Sequence, residues 1–190
     1  MGLAIGIFGG AFDPPHLGHV ELARRGIEHF ELEHLLVRVV ADPGHKDVGT
    51  PPTIRLLLAA LAFAPLGEVD VSLDPHARTI DSLESLGLDD PVFLVGADEF
   101  ADFLGWKDPE RVLELARLGV ATRPGVERDR LDAVIAELER PDRVSFFEIE
   151  PLPVSSSDIR ARAGRGEPVD GLVPATVAAE IARLGLYRAR

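Results

Sequence analysis

From residue 3 to residue 149 the chain alternates short apolar runs with stretches whose apolar residues recur at helical spacing. LAIGIF at 3–8 ends in Gly9-Gly10 and reads as a buried parallel strand entering a tight turn. A helix is predicted from about Gly18 to Phe30, where Val20, Leu22, Ala23, Ile27 and Phe30 approximate one apolar face. LLVRVV at 35–40 predicts a second strand, stopped by Asp42-Pro43-Gly44. Thr50 and the Pro51-Pro52 pair signal the start of a helix reaching Ala64, with Leu56, Leu57, Ala60 and Leu61 on its buried side. Strands are predicted at 69–73, 92–96, 119–122 and 144–149, separated by a helix at 79–86, helical segments up to Leu118, and a helix at about 128–139.

Strand-helix units of this length predict an α/β fold, a parallel sheet with helices on both faces. After Pro151 and Pro153 the pattern predicts two or three short helices and no strand. The expectation is a single domain over 1–190, with a Rossmann-like core at 1–153 and a small C-terminal helical subdomain at 154–190. The chain carries no internal repeat and no low-complexity tract.

Composition narrows the classes of function. The absence of cysteine removes disulfides, thiolate metal sites and cysteine nucleophiles. A formal charge of −12 disfavours nucleic acid as a partner, since backbone binding relies on a broad excess of Lys and Arg. A small anionic substrate needs only a local cationic pocket. Lysine occurs only at Lys46 and Lys107, so arginine supplies most of the positive charge. No apolar stretch approaches the ~18 residues that span a bilayer, and the start of the sequence lacks a positive leader. The expectation is a cytoplasmic protein with no membrane partner.

In an open parallel sheet, ligands bind beyond the carboxyl ends of the strands. The segment after the first predicted strand is GGAFDPPHLGH, Gly9 to His19. Its glycines let backbone approach a phosphate, and His16 and His19 face the anion-favouring start of a helix. Two other readings stand beside this one: ordinary loop and surface histidines, or a zinc site, for which neither HExxH nor a carboxylate set is present. A second constellation, Ser155 to Arg162, follows a proline-rich bend and opens a helix. A serine there caps the helix, whose free N–H groups and Arg160 suit an anion; an ordinary capped surface helix reads the same way. Asp98, just past a central strand, suits ribose hydroxyls or a helix N-cap. Trp106 suits ring stacking or a half-buried core position.

GGAFDPPHLGH together with SSSDIR resembles the paired HxGH and (S/T)xxIR signatures of the bacterial nicotinate-nucleotide adenylyltransferases, within the HxGH nucleotidyltransferase superfamily. Between them, PGHK (43–46) is similar to the family's PPHK loop and RTIDSL (78–83) to its YTxDTL segment. VGADEFADFLGWKD (95–108) and ATRPG (121–125) look like its GxDxxxxfxxW and xxRPG stretches, and GLYR (185–188) like its ending. The resemblance covers nearly the whole chain and implies a nucleotidyltransferase fold. It also implies transfer of the adenylyl group of ATP to nicotinate mononucleotide in NAD biosynthesis, by direct attack of the acceptor's phosphate. His16, His19, Lys46 and Arg160 would then be catalytic. ATP would be bound by Gly9, Gly10, Ala11, Phe12, His16, His19, Gly96, Asp98, Ser156, Ser157, Ile159 and Arg160. His45, Lys46, Arg78, Thr79, Trp106 and Arg123 would bind the acceptor. Magnesium is expected to arrive with ATP and to require no protein ligand set. A homo-oligomer is compatible with the sequence. Ala11 and Arg78 stand where the family usually has Ser or Thr and Tyr. The alternatives are an adenylyltransferase acting on nicotinamide mononucleotide or phosphopantetheine, and a catalytically silent nucleotide-binding module.

Overall fold

The computed structural model describes residues 3–44, 48–125 and 128–188. Six strands form one parallel sheet: β1 (Ile5–Gly10), β2 (His34–Val40), β3 (Val69–Asp74), β4 (Val92–Gly96), β5 (Arg117–Thr122) and β6 (Val144–Glu148). Their helices are α1 (Leu17–His29), α2 (Pro52–Phe63), α3 (Thr79–Leu86), α4 (Ala97–Phe100), α5 (Pro109–Leu115), α6 (Arg128–Glu137), α7 (Ser156–Gly164) and α8 (Ala175–Leu184). The sheet order is β3-β2-β1-β4-β5-β6. The chain winds outward from β1 to β3 and then crosses back to lay β4 beside β1, which makes a switch point between the carboxyl ends of those two strands.

Both faces are apolar, as parallel packing requires. Phe8, Val37, Val39 and Leu94 face α1, α2, α7 and α8 in one cluster. Ile7, Phe93, Leu118 and Val120 face α3, α5 and α6 in the other. The C-terminal helices are tied back to the N-terminal segment, where the Leu17 N–H donates to the Leu172 carbonyl at 3.0 Å. Among the described residues no helix is long and apolar enough to cross a membrane.

Three sequence expectations need correction. β5 begins at Arg117, so the helical segments stop at Leu115, two residues before the strand. α2 starts at Pro52 with Pro51 at its cap and no side-chain cap bond, while Thr50 is buried and gives its carbonyl to Arg55. The same helix is rotated from the expected face: Arg55, Leu58, Ala59, Ala62 and Phe63 are buried, whereas Leu57 is exposed. Its sequence is apolar nearly all round, so periodicity alone could not orient it.

Candidate active site

The chain leaves β1 through Ala11 and Phe12, and Phe12 takes a left-handed backbone (φ 49°) that folds its ring under Gly10. A Cβ on Gly10 would stand 2.9 Å from that buried ring, so glycine is required there by packing. His16 then caps α1. Its Nδ1 accepts the His19 N–H at 3.3 Å, and His19 Nδ1 accepts the His16 N–H at 3.2 Å, a reciprocal capping box built from two imidazoles. The rings stack with centroids 3.7 Å apart. A side chain on Gly18 would press within 3.1 Å of the His16 ring, which accounts for the glycine between the histidines.

This capping fixes the chemistry of both rings. With each Nδ1 accepting, a neutral ring carries its proton on Nε2. Burial pushes the His16 pKa down to about 4, so at neutral pH this ring is an uncharged N–H donor. Because the unfolded chain takes up that proton first, stability falls as pH drops from 6.5 toward about 4. A shift of this size is worth at most about 3 kcal/mol. Urea midpoints at pH 7 and pH 4.5 should diverge more in the wild type than in His16→Asn, which keeps a cap and removes the titration; equal divergence would contradict the assignment.

The second segment meets the first directly. Ser155 caps α7 by accepting the Asp158 N–H at 3.1 Å. Ser156 Oγ donates to the Pro14 carbonyl at 2.9 Å, and a guanidinium nitrogen of Arg160 donates to the Asp13 carbonyl at 2.8 Å. Residues more than 140 positions apart in sequence thus form one wall. That wall borders a cleft of about 1220 Å³ at the switch point. Single small-ligand sites run to ~300–1,000 Å³, so this one has room for two nucleotide-sized molecules.

Gly9, Gly10, Ala11, Phe12, His16, His19, Gly96, Asp98, Ser156, Ser157 and Arg160 all line the cleft, as do Arg78, Thr79, Trp106 and Arg123. Asp98 is exposed in the first turn of α4, whose cap is Gly96, and meets Arg123 at 3.4 Å. Thr79 is the first residue of α3, where backbone N–H groups have no partner within the helix. Trp106 is half-buried and edge-on to Phe93 and Phe103. Ile159 is not brought to the cleft: its side chain is fully buried in the apolar cluster under α7, because helical spacing turns it inward when Ser156 and Arg160 face out. His45 and Lys46 lie outside the described residues, although the flanking Pro43 and Val48 line the cleft.

The sequence reading missed the residues that hold this wall in place. Arg55, fully buried, donates from Nε to the Thr50 carbonyl (3.1 Å) and from its terminal nitrogens to the carbonyls of Ala11 (2.7 Å), Val40 (2.8 Å) and Ala41 (2.8 Å). Burial lowers its pKa, an effect that the nearby Asp13 carboxylate only partly offsets. Asp13 is itself buried and accepts the Tyr187 hydroxyl at 2.8 Å. Burial first, and Asp13 second, raise the Tyr187 pKa, so the phenol stays a donor. The turn after β1, the end of β2 and the C-terminal segment are thereby locked together. A lone arginine in the otherwise apolar TIRLLLAALAF was the available signal.

A family model described as cytidylyltransferase-like matches residues 7–162. A probable nicotinate-nucleotide adenylyltransferase of Thermomicrobium roseum is 39% identical, the match covering 97% of this chain and 91% of that one. Its counterpart of the same description in Rubrobacter xylanophilus is 36% identical over 98% and 93%. Among solved structures, Plasmodium falciparum nicotinic acid mononucleotide adenylyltransferase complexed with NaAD superposes with a TM-score of 0.80 at 16% identity, covering 98% of both chains. That likeness bears on the fold.

Proposed function

Because the chain belongs to the cytidylyltransferase-like family, and within it to the nicotinate-nucleotide adenylyltransferases, we propose that it transfers the adenylyl group of ATP to nicotinate mononucleotide, giving the dinucleotide and pyrophosphate. The observation that carries this reading is the direct contact of Ser156 with Pro14 and of Arg160 with Asp13 at the switch-point cleft.

The acceptor's phosphate oxygen attacks the α-phosphorus in line and pyrophosphate departs, so no protein nucleophile is needed. The chain's part is alignment and charge stabilisation. His19 directs Nε2–H at the α-phosphoryl oxygens as the centre becomes five-coordinate, and neutral His16 donates beside it. Arg160, Ser156 and Ser157 hold the β and γ phosphates while charge builds on the leaving group. On the other side of the cleft, Trp106 stacks on the pyridine ring and the Thr79 amide receives its carboxylate, with Arg78 and Arg123 at the rim. Lys46 and His45 supply further phosphate contacts by the chemistry of their side chains. Magnesium would enter with ATP and neutralise its phosphates, since phosphate oxygens and water are ligands it favours. We place the activity in the cytoplasm, and place residues 1–153 and 154–190 in one catalytic domain.

The test is purified protein with ATP, magnesium and either nicotinate or nicotinamide mononucleotide, followed by pyrophosphate release and dinucleotide identification. Stoichiometric pyrophosphate and nicotinate dinucleotide, with the amide form turned over at least tenfold less efficiently, is the expected result. Pyrophosphate release that ignores both acceptors would overturn the acceptor assignment.

A further inference from the structure

Arg38 sits in β2 as the register partner of Gly9 in β1 and of Ser72 in β3. Val37 and Val39 are buried on the α1 and α2 face, so strand alternation sends Arg38 to the other face, beside α3. His19 has its aromatic contacts, Phe8 and Phe12, on the first face. Arg38 therefore enters the cleft from the side away from the proposed triphosphate.

A guanidinium carries five N–H donors. Among the described residues Arg38 makes one hydrogen bond, to Ser72 Oγ at 2.7 Å. Its Nε is buried without a partner. The Asp74 carboxylate forms an ion pair with it at 3.7 Å, beyond hydrogen-bond reach. Asp74 is already engaged, accepting the His76 N–H at 3.0 Å and the Ser82 hydroxyl. The ion pair with Asp74 offsets part of the cost of withdrawing this cation from water, but its remaining donors stay unused unless an anion in the cleft accepts from them.

The neighbourhood says which anion. Across this face Arg38, Gly9 and Phe93 lie side by side; a Cβ on Gly9 would be 3.5 Å from the Phe93 ring, and Phe93 meets Trp106 edge-on at 6.2 Å. Through Asp74 and Ser82, Arg38 is also tied to α3, the helix that begins at Thr79. We infer that Arg38 determines acceptor specificity by donating to the ring carboxylate of the acceptor, an inference that rests on the function proposed above.

Both candidate acceptors carry the 5′-phosphate and only one carries the carboxylate, so kinetics can separate the two anions. Wild type, Arg38→Met and Arg38→Lys are compared with nicotinate and nicotinamide mononucleotides at saturating ATP, as kcat/KM or, for a non-substrate, as a competitive inhibition constant. Arg38→Met should lose about 10- to 100-fold with the nicotinate form, chiefly in KM, and change by less than about threefold with the amide form and in the KM for ATP. Arg38→Lys, which keeps the cation if the methionine variant misfolds, should show a smaller loss confined to the same acceptor. Equal losses with both acceptors would overturn the inference by assigning the guanidinium to the phosphate or the fold, and so would unchanged discrimination. Wild-type protein that uses neither acceptor sinks the proposed function and this inference together; wild type that uses the nicotinate form beside indifferent variants sinks only the inference.

Discussion

Arg55→Met is expected to lower stability by about 3–5 kcal/mol, a large share of the ~5–15 kcal/mol that holds a typical domain. The substitution keeps much of the side chain's volume and removes the guanidinium that serves the carbonyls of Thr50, Ala11, Val40 and Ala41. Those acceptors would be left without their partner, and the buried Asp13 carboxylate would lose the charge opposite it. In urea the midpoint should fall by about 1–2 M at unchanged slope. Arg111→Met, at an exposed position, should move stability by less than about 0.5 kcal/mol. A loss below about 1 kcal/mol for Arg55→Met would mean that the turn after β1 is held by something else.

His19→Ala should lower kcat by about two to three orders of magnitude while the fold survives. The ring is positioned from three directions: its Nδ1 is committed to the His16 N–H, its face stacks on His16, and its edge meets Phe12 at 5.2 Å. Such a donor needs no reorganisation when charge develops on phosphorus, which is the condition under which a single hydrogen bond has its largest catalytic effect. The structural cost is the capping bond and the ring contacts with His16, Phe8 and Phe12, about 1–3 kcal/mol together, so circular dichroism should stay near wild type while the urea midpoint falls modestly. Near-native turnover in a folded His19→Ala would remove His19 from the chemistry.

How much of this was legible in the sequence differs by element. β1, β2 and β4 were found because each is a compact apolar run ending in glycine or a turn signal, and sheet burial on both faces requires such runs. The residues of GGAFDPPHLGH and SSSDIR reach one cleft because each segment begins where a strand or a proline bend delivers the chain to the same edge of the sheet. α2 was misoriented since leucine and alanine surround it, and the decisive feature is a charged residue facing inward, against the usual rule that arginine is exposed. That inversion is intelligible only once four backbone carbonyls and Asp13 are seen converging on it. Arg38 was hidden for a similar reason: inside LLVRVV it reads as a polar interruption of a strand, and only pairing with Gly9 and Ser72 shows that it faces the cleft. Ile159 was included with its motif, but the motif is a helix, and one of its faces belongs to the core.

On this reading a triphosphate lies between the glycine turn and the serine-capped helix. A structure determined with a non-hydrolysable ATP analogue tests it most directly. Phosphate oxygens should lie within about 3.2 Å of His19 Nε2 and of the Arg160 guanidinium, with the adenosine running toward Gly96 and Asp98. An analogue bound with its phosphates away from both residues would contradict it.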